Sequence, residues 1–290
     1  MKFLTQRRCI IGEGPIYNEK NGLLYFTNGF GDELCTYDPK TEDFKVRPLE
    51  VGCAAYAFDV DGRLICSRHD GVFYLNDDNS IEPLYDRSKY EIKYANDMKV
   101  GPDGRLYVGT QSTKRLGISD KIDGKLYSID KDGNVKVLLD GIILSNGLEW
   151  SIDEKKFYHT DSDTQIIREY DFDAEKGEIS FTGREIFVSG VDGFTIDQSG
   201  KLLVASCRNG CFYEVDTDSL EIVAENEIPV GAAASCGFFG ENMNILAVTT
   251  ASYYIDLEKD KNAGFTVLIK REIGGRKPYL FGKEPELKKT

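Results

Sequence analysis

The stretch Pro102-Asp103-Gly104-Arg105-Leu106-Tyr107-Val108 decides the fold, because a tight Asp-Gly turn runs straight into a short apolar strand and the device recurs along the chain. Asn21-Gly22 precedes Leu24-Tyr25-Phe26, Asp61-Gly62 precedes Leu64-Ile65-Cys66, and Ser199-Gly200 precedes Leu202-Leu203-Val204. Asp153-Glu154 before Phe157-Tyr158 and Asn242 before Ile245-Leu246 are looser copies. Taking Leu24, Leu64, Leu106, Phe157, Leu202 and Ile245 as equivalent gives spacings of 40, 42, 51, 45 and 43 residues. A repeat of that length marks propeller blades. A second apolar run ending in an acidic turn follows, as in Lys125-Leu126-Tyr127-Ser128-Ile129-Asp130 and Cys211-Phe212-Tyr213-Glu214-Val215-Asp216, so each blade has room for about four strands. Helical periodicity is almost absent. The expectation is all-β: a six-bladed β-propeller with four-stranded blades, forming one domain over residues 1–290.

Working outward, the 51-residue interval is long because Gln111 to Asp123 is a polar insertion after a strand, a candidate lid at one end of the channel. The chain has 290 residues, 41% hydrophobic and 29% charged, with 49 acidic against 36 basic side chains and a net charge of -13. That sign repels nucleic-acid phosphates and anionic lipid, so neither is an expected partner. The N-terminal MKFLTQRRCI has no secretory apolar core, and no run of about 18 apolar residues occurs, so a cytoplasmic protein is expected. Seven cysteines, an odd number without a paired framework, suit a reducing compartment and read as small buried hydrophobes.

Ten or eleven residues before each anchor lies one position per blade, at the start of the strand that should line the channel: Glu13, Ala54, Asn96, Asn146, Asp192 and Ser235. Four of the six carry a carboxylate or amide oxygen. Inner strands converge on the axis, so two carboxylates and two amides meet there as hard oxygen donors, which favour Ca²⁺, Mg²⁺ or Mn²⁺ over softer ions. A single Asn-Gly or Asp-Gly is more often a turn. Repetition in phase with the blades, directly before runs such as Gly193-Phe194-Thr195-Ile196, argues otherwise. Asp130-Lys131-Asp132-Gly133-Asn134 has its glycine at the wrong place for a calcium loop and reads as a hairpin turn. His69 and His159 have no nucleophile motif beside them.

At these residues the sequence resembles the family of gluconolactonases, regucalcin (senescence marker protein) and luciferin-regenerating enzyme. The matching segments are Gly12-Glu13-Gly14-Pro15, Asn96-Asp97-Met98-Lys99-Val100, Ser145-Asn146-Gly147-Leu148-Glu149-Trp150 and Asp192-Gly193-Phe194. The resemblance implies one divalent cation held by Glu13, Asn146 and Asp192, Ca²⁺ first with Mg²⁺, Mn²⁺ and Zn²⁺ as the other candidates. It implies Asn96 as a substrate contact, Asp192 as general base, and hydrolysis of a small-molecule lactone. Many family members have an arginine where this chain has Tyr94, which offers one hydroxyl and a flat face and shifts the expectation toward a less polar lactone. Asp120, in the candidate lid, stands about where some relatives place a substrate-binding acid. Two other readings compete: a non-catalytic calcium-binding or ligand-sensing propeller, and a plain interaction scaffold.

Overall fold

The computed structural model describes residues 1–253 and 255–283. They form six four-stranded antiparallel sheets arranged as a six-bladed propeller. Closure begins at the N-terminus with β1 (Lys2–Leu4). Blade 1 is β2 (Gly12–Asn18), β3 (Leu23–Asn28), β4 (Glu33–Tyr37) and β5 (Phe44–Pro48); blade 2 is β6 (Ala55–Phe58), β7 (Leu64–Arg68), β8 (Gly71–Leu75) and β9 (Ile81–Pro83). Blade 3 is β10 (Ala95–Val100), β11 (Leu106–Thr110), β12 (Gly124–Ile129) and β13 (Val135–Ile142); blade 4 is β14 (Ser145–Trp150), β15 (Lys156–Asp161), β16 (Ile166–Asp173) and β17 (Glu178–Phe187). Blade 5 is β18 (Val191–Ile196), β19 (Lys201–Ser206), β20 (Cys211–Asp216) and β21 (Glu221–Glu227). Blade 6 takes β22 (Ala233–Phe239), β23 (Ile245–Thr250) and β24 (Thr266–Lys270) from the end of the chain and β1 from its beginning, with Lys2 opposite Leu268 and Leu4 opposite Thr266.

Each anchor named from the sequence falls at the first or second residue of its blade's second strand, so the turn chemistry locates the β-hairpins directly. Asp130 to Asn134 is the β12–β13 turn, where the Asp130 carboxylate accepts from the amides of Asp132 and Asn134 at 2.9 Å each. Burial falls from the axis outward: every residue of β14 and β22 is buried, whereas β17 and β21 alternate exposed and half-buried positions. Between blades 3 and 4 the core is an aromatic stack, with Tyr107 and Trp150 edge to face at 4.9 Å and Phe157 4.9 Å from Trp150. Blades 6 and 1 join through Phe239, Leu246, Leu24 and Phe26, with Tyr37 edge-on to Phe239 at 6.3 Å.

Inner strands start at one end of the channel and finish at the other, which the C-terminal segment crosses. There Gln198 N donates to Gly274 O at 2.8 Å, Arg276 binds Glu149, Tyr279 Oη donates to Glu154 at 2.7 Å, and Gly282 N donates to Gly104 O at 2.9 Å. No helix among the described residues is long and apolar enough to cross a membrane.

Candidate functional site

Five of the six inner strands lose register at the positions picked out from the sequence: between Glu13 and Ile16, Ala95 and Met98, Asn146 and Leu148, Val191 and Phe194, and Ala233 and Ser235. Such bulges re-aim a side chain and end the pairing locally. β6, whose position is Ala54, keeps its register throughout. The Asn-Gly and Asp-Gly pairs are therefore bulges and not turns. Gly147, at φ +37°, has no room for a Cβ, which would fall on the Phe194 ring edge, and a Cβ on Gly193 would fall on Ser235 Oγ. Glycine after each of these two candidate ligands lets neighbouring inner strands close around the axis.

Of the four side chains, Asn96 and Asn146 touch each other. Asn96 Nδ2 donates to Asn146 Oδ1 at 2.6 Å and to Ser145 O at 2.9 Å, and Asn96 Oδ1 accepts from Gln111 Nε2 at 3.3 Å. Asn146 Nδ2 donates to Ser162 Oγ at 3.0 Å. Glu13 and Asp192 lie at the mouth, where burial first, then the Asp192 and Asp97 carboxylates, push the Glu13 carboxyl well above its ordinary range. Asp192 is pushed well up by burial and by Asp97, and Arg115 of the 111–123 loop opposes the shift. Asp192 Oδ1 is buried and has no hydrogen-bond partner.

Asp97 is a site residue that the spacing argument does not reach. It follows Asn96 in an inner strand, accepts from Met98 N at 2.8 Å, and is raised chiefly by burial. Deeper along the axis Lys99 Nζ donates to Glu149 Oε2 at 2.9 Å and Phe194 O at 3.0 Å, and Arg276 binds Glu149 from below, around a cavity of about 80 Å³ that Asp97 also lines. The available signal is the charge in otherwise apolar inner strands, Asp97-Met98-Lys99-Val100 and Leu148-Glu149-Trp150. Along the axis the carboxyls of Glu13, Asp97, Glu149 and Asp192 outnumber the cations Lys99 and Arg276, and burial raises all of them except Glu149, which its two cations hold down.

Tyr94 lies beside the cluster. Tyr94 adopts φ +56°, donates its amide to His69 O at 2.6 Å, and lines a crevice of about 240 Å³ with His69, Asp70, Arg87, Tyr90 and Lys93. Its carbonyl accepts from Gln111 N at 2.9 Å, which places it beside Asn96 and not among the carboxylates. Asp120 is exposed on the 111–123 loop, most of which is exposed and carries no strand. Arg115 of that loop pairs with Asp163 at 3.2 Å, one residue from the Ser162 that holds Asn146.

Cys207 departs from the buried reading given to the cysteines: the residue is exposed on the β19–β20 turn. Partial burial of the sulfur and then Asp192, opposed by Arg208, push its thiol up to about 12. His159 Nε2 lies 2.7 Å from Ser145 Oγ, but both residues are buried and burial holds the imidazole down at about 3, so the pair is a neutral packing element.

Glu13 and Asp192 offer carboxylate oxygens and Asn146 an amide oxygen, and an unpartnered buried carboxylate oxygen such as Asp192 Oδ1 is costly unless a cation or proton meets it. Among the described residues no group of three or more His, Cys, Asp or Glu side chains forms a cation cage. Any ion here would take amide oxygens beside two carboxylates, a donor set that suits a hard divalent cation.

Residues 11–252 match the family model described as an SMP-30/gluconolactonase/LRE-like region. The chain is 30% identical over 288 residues to YvrE of Bacillus subtilis (strain 168), provisionally named a sugar lactone lactonase, covering 94% of this chain and 96% of that protein. It is 30% identical over 268 residues to regucalcin of Oryctolagus cuniculus, covering 88% and 89%. A solved structure from Agrobacterium tumefaciens, described as a calcium-binding protein, regucalcin, superposes with a TM-score of 0.85 at 24% identity, covering 96% of each chain, and shows the same fold.

Proposed function

The chain belongs to the SMP-30/gluconolactonase/LRE-like family, and from that premise we propose that it is a metal-dependent lactone hydrolase whose cation is held by Glu13, Asn146 and Asp192. The observation that carries the proposal is the buried, unpartnered Asp192 Oδ1 beside a second raised carboxyl, Glu13. Relatives named as a sugar lactone lactonase and as a calcium-binding regucalcin support the reaction class and the class of cation. Ca²⁺ fits best, with Mg²⁺, Mn²⁺ and Zn²⁺ as alternatives.

When bound, such an ion polarises a lactone carbonyl and lowers the pKa of a water in its shell. The remaining steps belong to the chain. Asp192 holds a carboxylate where an attacking water would stand and accepts its proton, although a ligating carboxylate is a weakened base. Both amide hydrogens of Asn96 are already donated, to Ser145 O and Asn146 Oδ1. Asn96 therefore acts first by orienting Asn146, and reaches a substrate oxygen only by giving up one of these bonds. Ring opening balances with water alone: the acyl carbon–oxygen bond breaks, the water oxygen bonds the carbonyl carbon, and the water protons end on the released hydroxyl and on the base.

The test is a lactone panel assayed after chelation and after adding back Ca²⁺, Mg²⁺, Mn²⁺ and Zn²⁺. Turnover that disappears on chelation and returns with one of the ions is the expected result. Cation binding without turnover of any lactone would favour the non-catalytic, ligand-sensing propeller.

A further inference from the structure

The end of the channel holding Glu13, Asn96, Asn146 and Asp192 has an apolar rim that neither the core nor the carboxylate cluster requires. On one side Phe30, in the turn between β3 and β4, is 62% exposed, and Tyr253, in the link after β23, is 43% exposed. Their rings meet edge to face with centroids 5.2 Å apart. Both are tied to the segment leading into Glu13: Gly29 N donates to Ile11 O at 2.7 Å, Tyr253 N donates to Ile10 O at 3.1 Å, and Gly12 pairs with Asn28. With a rise of about 3.4 Å per residue, the aromatic pair stands within about 10 Å of Glu13 along the strand direction.

Across the mouth, the 111–123 loop carries Leu116, Ile118 and Ile122, 40%, 59% and 41% exposed. The loop is rooted at the site itself, through Gln111 Nε2 on Asn96 Oδ1 and Gln111 N on the Tyr94 carbonyl. Apolar side chains left in water forgo about 25 cal/mol for each Å² they could bury, and apolar surface gathered beside a polar pocket is the usual form of a ligand subsite. A polyhydroxylated ring seated between these ledges would turn hydroxyls toward hydrocarbon, and an unsatisfied hydroxyl is costly.

We propose that the rim is a substituent subsite: while the ester ring lies at the carboxylate cluster, an aryl or alkyl group on that ring packs between the Phe30–Tyr253 ledge and the Ile118 ledge. The substrate class is hydrophobically substituted lactones. The proposal rests on the lactonase reading above for its chemistry, and on the rim alone for its selectivity.

The test compares the Ca²⁺-loaded wild type with Phe30→Ser and Ile118→Ser on a phenyl-substituted δ-lactone and on glucono-δ-lactone. Phe30→Ser should lower kcat/KM for the phenyl lactone about tenfold, mostly through KM, and Ile118→Ser several-fold, while the sugar lactone changes by less than about twofold. A second readout does not need turnover: calorimetric binding of a phenyl-substituted δ-lactam should weaken about tenfold in Phe30→Ser. If no lactone is hydrolysed but the lactam binds and depends on Phe30, the lactonase reading falls and the subsite stands. Equal losses on both lactones, unchanged selectivity, or failure of the wild type to bind the lactam would overturn the proposal. So would an effect of Phe30→Ser confined to the sedimentation coefficient, which would assign the patch to self-association.

Discussion

Replacing Gly147 by Ala tests whether the glycines after the candidate ligands are packing elements of the channel. Gly147 sits at φ +37°, and a methyl there would overlap the edge of the Phe194 ring, with Asp192 O 2.8 Å away. A left-handed backbone costs an L residue roughly 1–2 kcal/mol, and overpacking a closed interior costs about 1–3 kcal/mol more. The expected loss is therefore about 2–5 kcal/mol. Gly141 is the internal control: at φ +76° a methyl group added to it would meet nothing within 4 Å, so Gly141→Ala should lose only the backbone part, about 1–2 kcal/mol. Urea denaturation of both variants, each with chelator and with saturating Ca²⁺, measures the difference directly. Because the bulge aims Asn146, Gly147→Ala should also lose most of the stabilisation that Ca²⁺ gives the wild type, while Gly141→Ala keeps it. Equal midpoints for the two variants, with equal Ca²⁺ responses, would refute the packing argument.

Asp192→Asn should remove the calcium-induced rise in melting temperature and abolish lactone hydrolysis, because it deletes a ligand charge together with the proton acceptor; Asn96→Ala, which releases Asn146 from its 2.6 Å hydrogen bond, should weaken Ca²⁺ binding measured by calorimetry and lower kcat with it. Tyr94→Arg should leave the ratio of kcat/KM on a polyhydroxylated and a phenyl-substituted lactone within about twofold of wild type, because the side chain at this left-handed position lines the crevice with His69 and not the carboxylate cluster. His159 is held at about 3 by burial, against about 6.5 when unfolded, so only the unfolded chain takes up the proton between those values and stability falls as pH drops below about 6.5. Its share of the slope, up to about 1.4 kcal/mol per pH unit, should vanish from the denaturation profile of His159→Gln.

The blades are legible in the sequence because each hairpin announces itself locally: Asp103-Gly104 before Leu106 needs only its neighbours to form a turn. Closure is not, since Lys2-Phe3-Leu4 pairs with Thr266, Val267 and Leu268, and no local pattern links segments that far apart. The four mouth residues are legible from their phase in the repeat. Their environment is not. Asp97 falls outside the count of one position per blade, whereas the bulge between Ala95 and Met98 turns it into the channel, and Arg276 reaches Glu149 from a segment outside the repeat. Cys207 escapes the buried reading for a related reason, because hydrophobic character does not tell an exposed turn from a strand facing the core. Tyr94 is a neighbour of Asn96, as two residues of separation require, but its left-handed backbone sends it toward the crevice with His69, which sequence spacing does not reveal.

The central claim is the cation site, and anomalous diffraction from crystals grown with Mn²⁺ tests it most directly. The expected result is one strong anomalous peak on the propeller axis, with side-chain oxygens of Glu13, Asn146 and Asp192 about 2.0–2.6 Å from it and Asn96 within direct or water-mediated reach. A map with no peak at the mouth at saturating Mn²⁺, or a peak that leaves these three side chains pointing elsewhere, would contradict it.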